Sequence, residues 1–128
     1  MLDLEKLQKK APVRQLRVAE LIKEVVAEAI SQRQVDAKVL SDNFITVSKV
    51  KVSPDLQNAT ILVTIFYAKG DVKIVIEKLN NLAHKFREII NRNIKLKFSP
   101  RITFRYDDTL EEVSRINKLI ASVSTKED

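Results

Sequence analysis

The 128-residue sequence has no cysteine and no tryptophan, a single glycine (Gly70), a single histidine (His84) and three prolines. Each shortage removes a class of chemistry. Without cysteine there is no disulfide, thiolate metal site or sulfur nucleophile, which suits a reducing compartment. With one glycine there is no Walker loop, dinucleotide fingerprint, nucleophile elbow or GxxG nucleic-acid clamp. A lone histidine without cysteine leaves no zinc ligand set, and on a helical wheel His84 falls away from the apolar stripe, on the solvent side. No apolar run reaches membrane-spanning length, and the opening MLDLEKLQKKAP carries acids and lysines where a signal peptide would be apolar. Neither a membrane nor an export role is expected, and the cytoplasm is the default. No Ser/His/Asp set and no facing carboxylate pair supports catalysis. The chain therefore reads as a non-enzyme with no metal and no cofactor.

What is present is positive charge, and it is concentrated. Lysine and arginine number 23 against 17 acids, a net charge of +6. Between Lys85 and Arg105 the bases Lys85, Arg87, Arg92, Lys95, Lys97, Arg101 and Arg105 meet one acid, Glu88. A concentrated basic surface attracts polyphosphate by counterion release. The competing account is an ordinary solvated helix face, with Glu88 and Arg92 paired at i,i+4.

The apolar pattern gives the element order α-β-β-α-β-α in one domain, a length sufficient for its own core. Residues 1–13 read as a loose basic arm. A helix follows, with Leu21, Ile22, Val25, Val26, Ala29 and Ile30 on one side and Arg17, Glu20, Lys23, Glu24 and Glu28 on the other. Residues 34–43 have no consistent period. Two strands, 44–52 and 59–67, are joined by the turn Ser53-Pro54-Asp55 and form an antiparallel pair. Ile45 and Val47 fall out of phase with Val50 and Val52, so a bulge is expected near Ser48-Lys49. In the second strand Ile61, Val63 and Ile65 are assigned to the helix-covered face.

A long helix after Gly70 carries Leu79, Leu82, Ala83, Phe86, Ile90 and Ile94 as its stripe and stops before Pro100. Ile102, Phe104 and Tyr106 mark a third strand. Thr109 and Glu112 read as a capping box opening a short last helix through Ile120, followed by a tail over 122–128. The adjacent Asp107 and Asp108 suit capping better than acid/base work. A three-stranded sheet with helices on one face, an α+β sandwich, buries these patterns. Because no strand carries the basic-Gly-aromatic motif of a base-stacking platform, RNA recognition would rest on backbone charge and shape.

Placed on one straight helix, Lys78, Lys85 and Arg92 form a line seven residues apart on the side opposite the core stripe, and Lys95, Lys97 and Arg101 continue the basic side. Lys9, Lys10, Arg14 and Arg17 form a second candidate at the amino end.

Arg17-Val18-Ala19-Glu20, the block from Ile45 to Ile65 with V52-S-P-D-L and A59-T-I-L-V, Pro100, T103-F-R-Y-D-D-T109 and Arg115-Ile116 together resemble the ribosome-binding factor A family from about Arg14 to Ile120. The resemblance implies a type-II KH-like domain over 14–121. It also implies binding to free, immature small (30S) ribosomal subunits and their 16S rRNA, assistance to late maturation and rRNA processing especially in the cold, and a release GTPase as a further partner. A monomer is expected. The family's Ala-x-Gly kink is replaced here by Leu82-Ala83-His84, so a continuous or weakly bent helix is expected between Gly70 and Pro100. The alternative is a protein-interaction module using the sheet face, with Leu62 and Phe66 exposed, or the last helix, the charge serving only solubility.

Overall fold

The first apolar rhythm winds into α1 (Val13–Ser31), which buries Val18, Ala19, Ile22, Val26 and Ala29 at steps of three and four. The computed structural model describes residues 13–66 and 70–126, with the backbone alone for 110–112 and 122–126. Leu21 lies outside the buried stripe and is exposed. After α1 the chain reverses in a Schellman turn: Gln34 N–H bonds to the Ala29 carbonyl at 2.9 Å and Arg33 N–H to that of Ile30 at 3.2 Å, with Arg33 at φ 53°. The stretch without a period contains a short helix, α2 (Lys38–Asp42), which buries Val39.

β1 (Phe44–Val52) and β2 (Asn58–Phe66) pair antiparallel, with a register shift between Val47 and Lys49. This is the bulge that the phase change predicts. Ser48, the extra residue, places its hydroxyl 3.1 Å from the Leu62 carbonyl oxygen, and the shift lets Ile45, Val50 and Val52 all reach the core. In the connecting turn Leu56 N–H bonds to the Ser53 carbonyl at 2.9 Å. The Asp55 carboxylate accepts from Ser53 Oγ at 2.6 Å and from Gln57 N–H at 3.1 Å, bonds that hold its pKa below the ordinary carboxylate value.

Parallel pairing requires a crossover. It is supplied by α3 (Val72–Asn81) and α4 (Ala83–Asn93), after which β3 (Arg101–Tyr106) pairs parallel to β2 to give the order β1-β2-β3. Gly70 occupies φ +96°, a conformation that a side chain resists, and Asp71 then caps α3 by accepting from Lys73 N–H at 2.9 Å. α1 lies against β1, while α3 and α4 lie against β3. Ile22, Val26, Ile61, Val63, Leu79, Phe86, Ile90 and Phe104 fill the layer between sheet and helices. Ile65 is only half-buried.

The continuous or weakly bent helix expected over the second half is broken at Leu82, whose φ and ψ are −96° and 1°. Leu82 itself is half-buried, so the deepest position of α3 is Leu79. Tertiary anchors impose the break without a glycine. The Asn80 side chain accepts from Phe104 N–H at 2.7 Å and donates to the Phe104 carbonyl at 3.1 Å, taking the place of a neighbouring strand at the sheet edge. On the far side of the break Phe86 packs edge-on against the Phe104 ring, centroids 5.1 Å apart. Both helices are thus pinned to one strand residue. α4 also ends at Asn93, earlier than expected, and residues 94–100 are a loop that buries Ile94 and Pro100.

The last helix, α5 (Thr109–Lys126), is longer than the short helix expected through Ile120. Asp107 holds its first residue: Asp107 Oδ1 accepts from Thr109 N–H at 3.0 Å and from Thr109 Oγ1 at 2.5 Å; the side chain of Glu112, the other half of the expected capping box, lies outside the described residues. Asp107 Oδ2 accepts from Ser48 Oγ at 2.7 Å, tying the start of α5 to the bulge of β1. The bonds from Thr109 and then Ser48 hold the Asp107 pKa below the ordinary carboxylate value.

Candidate nucleic-acid interface

Lys78 sits in the last turn of α3, Lys85 in the first turn of α4 and Arg92 in its last turn; all three are exposed. Lys85 and Arg92 share one helix and, being seven residues apart, one face, with a separation along the axis of roughly 10 Å. The break at Leu82 divides Lys78 from them, so the single straight line becomes two segments on consecutive helices. Lys78 and Arg92 at carboxyl helix ends complement the helix dipoles, whereas Lys85 lies near an amino end, where a cation is disfavoured, and its own N–H bonds to the Leu82 carbonyl at 2.9 Å. A phosphate beside Lys85 would reverse that local penalty. Glu88 and His84 share the same helix, and both are exposed.

Arg87 belongs to the concentrated basic stretch but has a structural task. Its Nε donates to Ser99 Oγ at 2.6 Å and its Nη2 to the Ser99 carbonyl at 2.9 Å, while Asn91 Nδ2 donates to the same hydroxyl at 2.8 Å. These bonds fasten the 94–100 loop to α4. Lys95 and Lys97 are exposed on that loop and do not continue the helix; Lys97 Nζ stands 5.5 Å from the Phe98 ring centroid, a cation-π contact. Arg101 opens β3 and projects from the sheet face away from the helices, so it does not extend the helical surface either. Arg14 and Arg17 are exposed on the first turns of α1. Lys9 and Lys10, with the rest of the arm through residue 12, lie outside the described residues.

No group of three or more His, Asp or Glu suited to a metal ion occurs among the described residues, and no described helix is long and apolar enough to cross a membrane. A groove of about 750 Å³, mainly apolar, runs between the end of α1, α2 and the edge strand β1, lined by Ile30, Leu40, Phe44 and Val47 among others. It contains none of the basic candidates.

Residues 14–120 match the family model of ribosome-binding factor A. The chain belongs to the ribosome-binding factor A family. It is 40% identical over 115 residues to ribosome-binding factor A of Rhodopseudomonas palustris (strain TIE-1), covering 90% of this chain and 83% of that one. The crystal structure of ribosome-binding factor A from Thermus thermophilus superposes with a TM-score of 0.60 at 18% identity, over 72% of this chain and 94% of that one. A Thermus thermophilus ribosome binding factor A model fitted into a cryo-EM map of a 30S complex superposes at 0.54 and 19% identity, over 68% of this chain and 88% of that one. The shared fold is KH-like. Within the family frame the three central cations fall inside the matched region, as do Arg14 and Arg17.

Proposed function

We propose that this protein is an assembly factor for the small ribosomal subunit that acts by binding and catalyses no reaction. It occupies immature 30S subunits in the cytoplasm as a monomer, holds their 16S rRNA in one arrangement during late maturation and processing, and leaves when that surface changes, with a GTPase promoting release. Family membership across residues 14–120 carries this reading, and the 30S complex of the Thermus thermophilus relative supports it. Lys78, Lys85 and Arg92 on the helical surface make the principal phosphate contacts, Arg14 and Arg17 with Lys9 and Lys10 add to them from the amino end, and Lys95 and Lys97 flank them on the loop. Contacts of this kind give affinity that falls steeply with salt and depends little on sequence. Sucrose-gradient fractionation of cell extract tests the reading: the protein should co-migrate with free small subunits, and its absence from every ribosomal fraction in low and moderate salt would overturn it.

A second reading, a protein-interaction module, draws on α5. Val113, Ile116, Leu119 and Ile120 are all about half exposed or more, an amphipathic helix with its apolar residues in solvent. Sedimentation with a ribosome-free protein complex would favour it.

A further inference from the structure

The sheet face turned away from the helices carries a charge pattern of its own. β1, β2 and β3 contain no acidic residue, and since the core side takes the apolar positions, every charge in the strands falls on the open side. Register fixes their arrangement. Leu62 of β2 has Lys49 on one side and Arg105 on the other; Thr60 lies between Lys51 and Thr103; Asn58 is beside Arg101. Lys49, Lys51, Arg101 and Arg105 are exposed, and Thr60 and Leu62 between them are half-buried. The result is a trough along β2, floored by short or flat side chains and railed by cations, with rails about 10 Å apart from the usual strand spacing and successive same-face residues about 7 Å apart. The carboxylates at its two ends keep their charge: Asp107 accepts from Ser48 and Thr109 and attracts Lys49, and Asp55 accepts from Ser53 and Gln57. Among the described residues α5 does not pack extensively on the sheet.

We propose that this trough is a second RNA-backbone site, which binds one extended strand along β2 independently of the helical surface, so that the protein holds two RNA segments on opposite faces. Cations meet phosphates from both rails, and the Thr60 and Thr103 hydroxyls supply hydrogen bonds to backbone oxygens and 2′-hydroxyls. Phe44 and Phe66, exposed and packed on each other with ring centroids 6.0 Å apart, lie farther along the same face of β1 and β2; within the cation-railed stretch from Asn58 to Leu62 no aromatic side chain stands on the open face, so this contact is indifferent to sequence. The choice of RNA among polyanions rests on the function proposed above.

The test uses the full chain and a fluorescein-labelled single-stranded RNA of mixed sequence, titrated across a salt series. The variant K49Q/K51Q/R101Q/R105Q should lower the slope of log affinity against log salt by up to about three, at about 0.7 per lost single-strand contact, and should reduce the RNA bound per chain from two strands to one. The helical variant K78Q/K85Q/R92Q serves as the independent arm. If it alone changes binding, the trough proposal is overturned and the helical site stands; if the sheet variant alone changes binding, the trough stands and the helical assignment fails. In the wild-type chain the Leu62 methyl NMR signals should shift on adding RNA, a readout that no substitution can confound, and unmoved signals at saturation overturn the proposal. Phosphatidylserine vesicles form the last arm: loss of vesicle binding in the sheet variant with unchanged RNA binding assigns the trough to a lipid surface and overturns it.

Discussion

Leu79 and Leu82 occupy the same stripe in the sequence, yet Leu79 is fully enclosed and Leu82 half-buried at the helix break. Leu79→Ala should cost about 2–5 kcal/mol and Leu82→Ala about half of that or less, because the cavity term applies only to an enclosed site; equal shifts in urea midpoint would contradict the placement of the break. Asp107 makes a pH-dependent contribution of a definite sign. Its pKa is lowered in the folded protein from 3.8 by bonds from Thr109 and Ser48, so the stabilisation is complete above that value and is lost as pH falls through the lowered folded-state value. Asp107→Asn should therefore open a gap in urea midpoint near pH 7 that narrows once the pH falls well below 3.8. A gap of equal size at both would remove Asp107 from the account. The wheel phase puts His84 on the solvent side, and the folded chain leaves it exposed there. Charge alone groups Arg87 with the free cations, because its partner Ser99 lies across a loop that periodicity cannot locate.

At the scale of elements, scarcity of glycine has structural consequences. Arg33 closes the Schellman turn after α1 in the left-handed conformation, where glycine carries no steric penalty. Arg33→Gly should raise stability by up to about 1 kcal/mol, the relief of strain outweighing the added freedom of the unfolded chain; an unchanged or lower thermal midpoint would show that the turn is not strained. The break between α3 and α4 is not legible in the sequence because its cause is non-local. Leu82-Ala83-His84 favours helix on its own, and the opposing force comes from Asn80 and Phe86, both anchored to Phe104, which lies 24 residues beyond Asn80. Asn80→Ala should cost about 1–3 kcal/mol and speed hydrogen exchange at the Phe104 amide; continued protection of that amide would mean another group covers the edge. The strands and the bulge are legible, since alternation and its interruption at Ser48 are local. α2 is not, because its five residues are too few for a period to declare itself.

For the molecule as a whole, one layer of helices covers one face of the sheet, and basic residues populate both outer surfaces: Lys78, Lys85 and Arg92 beyond the helices, Lys49, Lys51, Arg101 and Arg105 beyond the strands. The concentration of charge between Lys85 and Arg105 is visible in the sequence, but its partition is not. Those residues divide among α4, a loop and β3, and thus between two opposite faces. The alternation of Lys49, Lys51 and Arg105 with core residues holds the signal that would reveal it. Lys78 and Arg92 also complement helix dipoles, a role worth about 0.3–1 kcal/mol each, so binding and stability must be read separately. Association of wild type and K78Q/K85Q/R92Q with purified immature small subunits, measured across a salt series with circular dichroism as the folding control, tests the central claim most directly. A slope of log affinity against log salt shallower by roughly one unit per lost contact is predicted, with the fold retained. Equal slopes and equal affinities would assign those three residues to solvent and contradict the account.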